Sequence, residues 1–394
     1  MQKSTKILLL VAVASAIVLF GWYVGTQRKT TRSAQPTEQE LALIQQKTPI
    51  KIGFLHPMTG DAKHYGEAMH NTAQLAIDRV NAEGGVGGRL LELVIEDGKC
   101  NERDAAAAMR RLVDMDGVSV VLGGFCSGES LAAIPVAADG GVALFSSGSS
   151  SPDLTGKSPY FMRNYPSDAL QGSVLADEAL KRGWKKVAVI QEQLDYPAGI
   201  LVAFMEKFEQ GGGTIIKEEF STTTTDFNLM LTRVRAEKPD ALFIDSQTSA
   251  SGERALKQVT ELKWKIPLLI TESFAGDAAT VEANKSALEG ALAAEFTVDE
   301  KNEKFEHLVS SYKERYGADL PFPPYAQSEY DAVFMVRDAL VAVGEDGEKI
   351  AEYLRSTLDW QGASGSITIG GDGDRVGGYA LVVVKDGKVQ IVPR

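Results

Sequence analysis

From residue 50 onward, short apolar runs alternate with longer stretches whose apolar positions recur every three to four residues. The runs predict buried strands and the longer period predicts helices. Residues 51–55 read as a strand. Residues 65–81 read as a helix, with Met69, Ala73, Ala76 and Val80 on one face. Strand 90–96, helix 103–115, strand 118–122, helix 130–138 and strand 142–146 follow. This order predicts a parallel sheet with helices on both faces.

A second series of similar build starts near residue 166. Helix 170–182, strand 186–190, helix 198–210 and strand 214–218 come first. A helix opened by Thr225-Asp226 and ended by Pro239 precedes strand 241–245, helix 252–262 and strand 268–271. Helices 304–316, 328–343 and 348–357 and strands 365–369, 379–384 and 389–392 complete the pattern, with Gly370-Gly371-Asp372-Gly373-Asp374 as a turn. The fold class is therefore α/β, with two doubly wound Rossmann-like lobes. Ligands of such sheets bind outside the carboxyl ends of the strands. Two lobes facing each other make a cleft that suits a hinge-closing receptor.

The first 48 residues read differently. Lys3 and Lys6 precede 19 residues, 7–25, that carry no charge. At ~1.5 Å per residue this nearly spans a hydrocarbon core, so 1–25 is a signal peptide or an uncleaved anchor. Ala14-Ser15-Ala16 has a cleavage-site pattern, yet the apolar run continues past it, which favours the anchor. Arg28, Lys29 and Arg32 follow, and positive flanks tend to stay inside, an observation against export. Polar residues 26–48 read as a flexible tether. The remaining length fits about two domains. The net charge of −12, with no basic stripe in the folded part, disfavours nucleic-acid partners.

Little in the chain carries reaction chemistry. The four histidines, His56, His64, His70 and His307, form no metal-binding spacing. Nucleophile-elbow and phosphate-loop patterns are missing, and Gly84-Gly85-Val86-Gly87-Gly88 precedes a strand instead of opening a helix. We therefore expect no enzyme, no metal and no cofactor. The two cysteines, Cys100 and Cys126, each follow a predicted strand. If those strands are adjacent, their ends meet and a disulfide forms in an oxidising compartment; otherwise these are two unrelated buried thiols.

Several ordered segments carry a resemblance. They are Ile52-Gly53 before Pro57-Met58-Thr59-Gly60, then Tyr65-Gly66, and Asn81 through Arg89 before a strand. Glu96-Asp97 with Cys100, Cys126-Ser127, the loop 146–155, Thr225-Asp226-Phe227, Gly365-Ser366-Ile367 and Gly373-Asp374 follow. Over nearly all of 49–394 the chain resembles the leucine/isoleucine/valine-binding family of periplasmic substrate-binding proteins, the type I receptors of ABC importers. The resemblance implies two lobes joined by a three-segment hinge, the first from 49–165 plus 296–375 and the second from 166–295 plus 376–394. It also implies a Cys100–Cys126 disulfide.

An amino-acid zwitterion needs donors for its carboxylate and an anion for its ammonium. The amides and hydroxyls of Ser146-Ser147-Gly148-Ser149-Ser150-Ser151 are able to cradle a carboxylate. By resemblance, Ser127 and Ser150 hold the carboxylate, the Gly148 carbonyl accepts from the ammonium and Glu272 pairs with it. Tyr65 and Tyr196 match aromatic positions that line the cleft from opposite lobes. Phe125 and Gln247 face the ligand side chain; Phe125 is bulkier than the family's aliphatic residue, and Gln247 replaces an aromatic one. Branched-chain specificity is thereby put in doubt.

The expected function is an extracytoplasmic binding protein of an ABC importer. It takes an amino acid, branched-chain or otherwise neutral, or a close analogue, and delivers it to the permease subunits from the periplasm, tethered to the inner membrane by its N-terminal anchor. The alternative is a ligand-sensing receptor domain acting through a separate signalling partner.

Overall fold

A computed structural model describes residues 48–393. The expected anchor at 1–25 and nearly all of the tether lie outside these residues. Among the described residues, no helix is long and apolar enough to cross a membrane.

The first sheet has five parallel strands, β1 (Ile50–His56), β2 (Leu91–Asp97), β3 (Val120–Gly123), β4 (Ala143–Ser146) and β5 (Phe161–Arg163), in the order β2-β1-β3-β4-β5. The inner strands β1, β3 and β4 read as nearly continuous apolar runs because both faces are covered, whereas the edge strand β2 carries Glu92, Glu96 and Asp97. Ile52, Phe54, Val120 and Leu122 pack into one cluster; Leu55, Val121 and Leu144 pack into another on the opposite face. Helix α1 (Lys63–Ala82) lays Met69, Ala73, Ala76 and Val80 onto the first cluster, as its spacing predicts. Helices α2 (Glu102–Arg111) and α3 (Ser127–Gly140) follow β2 and β3.

After α4 (Asp168–Lys181) the chain builds a second sheet. Its strands in chain order are β6 (Lys186–Glu192), β7 (Thr214–Phe220), β8 (Ala241–Asp245), β9 (Leu268–Ile270) and β10 (Leu292–Glu295). Between them run α5 (Asp195–Gln210), α6 (Asn228–Ala236), α7 (Ser249–Glu261) and the short helices α8 (Glu272–Ala275), α9 (Ala278–Ala283) and α10 (Lys285–Leu288). The chain then returns to the first sheet as α11 (Glu303–Tyr316), α12 (Pro323–Val343) and α13 (Gly347–Arg355), with α12 packed on α1. A hairpin of β11 (Trp360–Gly362) and β12 (Gly365–Ile367) precedes the third passage, into β13 (Ala380–Lys385) and β14 (Lys388–Ile391). These last two join the second sheet antiparallel, giving the order β14-β13-β10-β9-β8-β6-β7.

The cysteines do pair, with Cα atoms 5.3 Å apart. The route differs from the expectation of adjacent strands, because β1 lies between β2 and β3. The loops after β2 and β3 fold toward each other over the end of β1. Buried Glu129 holds them there, accepting hydrogen bonds from the backbone N–H of Cys100 (2.8 Å), Phe125 (3.0 Å) and Cys126 (3.0 Å). Closing a loop of 26 residues stabilises the fold by about 3.5 kcal/mol in the chain-entropy model. A Cys100→Ala, Cys126→Ala double variant is expected to show that loss as a lower urea midpoint, with a steeper slope because the unfolded chain without the cross-link exposes more surface.

Candidate functional site

The carboxyl ends of the two sheets meet around a small cavity of about 20 Å³. From the first-sheet side, Ala62 precedes α1 and Tyr65 sits in its first turn. Phe125, Cys126 and Ser127 follow β3, Gly148 follows β4 and Tyr325 sits in the first turn of α12. From the second-sheet side, Tyr196 sits in the first turn of α5, Gln247 and Thr248 follow β8, and Ser273 follows β9. Every lining residue thus lies near a strand's carboxyl end or in a helix's first turn, where α/β sheets place ligands.

One tyrosine bridges the two sides, and a second braces its acceptor from the same side. The Tyr65 hydroxyl donates to the Ser273 carbonyl at 2.8 Å, and the Ser273 N–H donates to the Tyr196 oxygen at 3.4 Å. Phe125 stacks on Tyr65 with ring centroids 5.5 Å apart and meets Tyr325 edge-on at 5.2 Å. Tyr325 in turn stacks on Tyr165 at 4.8 Å.

The structure brings Tyr65, Phe125, Ser127, Gly148, Tyr196 and Gln247 together on the cavity wall. Ser150 and Glu272 are buried one layer behind it. The loop amides are not open to a ligand as expected. Ser146 Oγ accepts from the N–H of Gly148 (3.3 Å) and Ser149 (2.9 Å). Ser127 Oγ accepts from the N–H of Ser150 (3.3 Å) and Ser151 (3.1 Å). The reason is the burial of the whole loop, which forces its polar groups to find protein partners. With its lone pairs engaged, the Ser127 hydroxyl keeps its proton to donate.

Glu272 opens the short helix α8. Its Oε1 accepts from the Tyr165 hydroxyl at 2.6 Å and the Phe296 N–H at 2.8 Å. Its Oε2 has no partner among the described residues. Burial holds its carboxyl well above the usual carboxylate range, against the opposing hydrogen bonds from Tyr165 and Phe296.

Tyr325, Thr248 and Ser273 escaped the sequence reading. Tyr325 was lost because α12 starts at Pro323, five residues before the predicted 328. Pro323-Pro324 was the available signal, since proline favours the first helical turn. Thr248 is legible afterwards as an N-cap, its Oγ1 accepting from the Ser251 N–H at 3.2 Å.

Burial also lifts two other carboxyls near the site, Glu129 and Asp168, each to about 7. Asp168 accepts from the Tyr379 hydroxyl at 3.1 Å and Gln171 Nε2 at 3.0 Å. A carboxyl with a higher pKa folded than unfolded binds more protons when folded, so stability falls as pH rises from about 4 through about 7. The thermal midpoint is accordingly expected to fall by several degrees between about pH 5.5 and 8, and Glu129→Gln to flatten that slope. A midpoint that climbs over this window would contradict the assignment.

The periplasmic binding protein family matches residues 49–388. A Leu/Ile/Val-binding protein of Rhizobium johnstonii is 26% identical over 331 residues, 82% of this chain and 88% of its own. A leucine binding protein from Thermotoga maritima superposes with a TM-score of 0.80 at 29% identity, over 87% of this chain and 98% of its own. A branched-chain amino acid binding protein of Streptococcus pneumoniae, solved with isoleucine, gives 0.78 at 27% identity, over 88% and 99%. The match covers both sheets up to the first residue of β14, together with every residue lining the cavity, and the chain belongs to the periplasmic binding protein family.

Proposed function

We propose that this protein is the substrate-binding component of an ABC importer and captures an amino acid in the cavity between its two sheets. The observation that carries the reading is the cavity wall itself, which draws polar and aromatic groups from both carboxyl edges. A ligand that contacts both sides stabilises the closed arrangement over the open one, because only closure offers it both sets of contacts. The moving bodies are 49–165 with 296–375, and 166–295 with 376–394.

The Ser127 hydroxyl and the amino end of α3 face the ligand carboxylate. The positive end of a helix dipole favours an anion there. The Gly148 carbonyl faces the ammonium, and the Glu272 carboxylate supplies the opposing charge from one layer behind the wall. Ser150 acts from behind, through its N–H on Ser127. The family consists of substrate-binding proteins and implies an extracytoplasmic location. The ligand leaves unchanged to the permease, and 1–25 tethers the protein to the inner membrane.

Thermal-shift measurements on the full chain, across the amino acids and small carboxylic acids, test this. A ligand at 100 times its Kd adds ~2.7 kcal/mol. A clear upward shift with at least one amino acid is expected. A shift with simple or aromatic acids alone would discard the zwitterion site and keep the receptor.

A further inference from the structure

We infer that Phe125 closes the space a branched side chain would occupy, so that the site selects an amino acid with a small side chain or none. This rests on the amino-acid reading proposed above and narrows it.

The Phe125 ring is clamped from behind. A methyl group on Gly148 would sit 2.5 Å from Phe125 Cδ2, so the ring lies directly on the glycine backbone. The loop beneath cannot withdraw. The Ser147 hydroxyl donates to Glu329, His56 Nε2 meets the same carboxylate oxygen at 3.2 Å, and His56 and Glu329 are both fully buried. The His56 ring also backs Phe125, with centroids 5.7 Å apart.

The ring is held from the front as well. Tyr65 lies on it at 5.5 Å and is tied across the cavity to the Ser273 carbonyl. An aliphatic carbon inserted between two ring faces needs roughly 7 Å between them, two contact distances of ~3.5 Å. The rings already touch, so that slot is filled by the protein's own side chains. The rest of the wall is largely polar, with Ser127, Gln247, Thr248 and Ser273. Such a wall suits the head group of an amino acid with hydrogen, methyl or hydroxymethyl beyond it. A branched side chain would have to push a packed ring off its rotamer, which close-packed interiors resist.

Isothermal titration of the full chain in mild detergent with glycine, alanine, serine and leucine, repeated on Phe125→Leu and Phe125→Ala, decides the matter. The unaltered protein is expected to bind glycine, alanine or serine at least tenfold tighter than leucine, since single methylenes change affinity by about 10- to 200-fold. Both variants are expected to narrow the leucine-to-alanine affinity ratio by tenfold or more. Leucine binding as tightly as alanine in the unaltered protein would overturn the inference and leave the amino-acid reading standing. An unchanged ratio in both variants would remove Phe125 as its cause. Absence of binding by every amino acid would overturn the inference together with the reading beneath it. The unaltered protein's own series stays decisive if a variant does not fold.

Discussion

Replacing Asp374 with alanine is expected to destabilise the protein by about 3–5 kcal/mol, the cost of leaving a buried charge without its partner. Arg163 is fully buried and cannot shed its proton to escape. It donates from Nε to Asp374 Oδ1 at 2.7 Å and from Nη2 to Oδ2 at 2.8 Å, a paired geometry that suits a carboxylate. Its Nη1 donates to the carbonyls of Ser149 (3.3 Å) and Ser151 (2.9 Å), so the same guanidinium holds the loop that carries Gly148 and Ser150. Loss of Asp374 therefore should loosen the cavity wall as well as the fold. Ligand affinity is expected to drop with stability even though Asp374 itself lines no part of the cavity. Removing both charges in Arg163→Met, Asp374→Leu should recover part of the loss, because no unpaired charge then remains. Urea denaturation of the two variants compares them directly. A double variant as unstable as Asp374→Ala would mean that the lost carbonyl contacts, and not the stranded charge, set the cost.

Glu272→Ala is expected to weaken amino-acid binding by roughly 10²- to 10³-fold, about 3–4 kcal/mol, the range for truncating one member of a buried charged pair. Among the described residues Oε2 has no partner, and burial holds the carboxyl above the usual carboxylate range, which favours its neutral form. An arriving ammonium favours the ionised form, so binding draws the proton off Glu272 and releases it. Affinity is then expected to increase with pH until the carboxyl is already ionised in the free protein. Calorimetry in buffers of different ionisation heat reads the proton release. Glu272→Gln keeps an acceptor for Tyr165 and Phe296 and should leave the fold nearly as stable while losing the pH dependence of binding. An affinity within threefold of the original in Glu272→Ala would sink the assignment of the ammonium to this carboxyl.

Both predictions rest on groups of very different visibility in the sequence. Glu272 was visible through the resemblance, because it matches the acid that pairs with the ligand ammonium in the leucine/isoleucine/valine-binding family. Arg163 was not. Its partner Asp374 lies 211 residues away, and nothing local marks either residue as buried or paired.

The same contrast runs through the fold. The alternation of short apolar runs and helical periods was enough to predict parallel α/β sheets, since that pattern depends on neighbours within a few residues. Tyr65, Phe125, Ser127, Gly148, Tyr196 and Gln247 came into view through the resemblance to the leucine/isoleucine/valine-binding family; the alternation pattern alone only places them near strand ends or in a helix's first turn. Strand order was beyond it. The central place of β1 between β2 and β3 comes from long-range packing on both sheet faces, so the disulfide crosses over a strand whose place in the sheet the sequence pattern left open. The loop 146–151 shows the limit most clearly. Its serines and glycine announced hydrogen-bonding capacity, but only tertiary burial decided that Ser146 and Ser127 would consume the amides. What the sequence determined on its own was the succession of elements and the positions that end near the cleft. The tertiary structure decided which polar groups stay free to meet a ligand, because buried donors and acceptors are satisfied by whatever the fold brings near, regardless of distance along the chain.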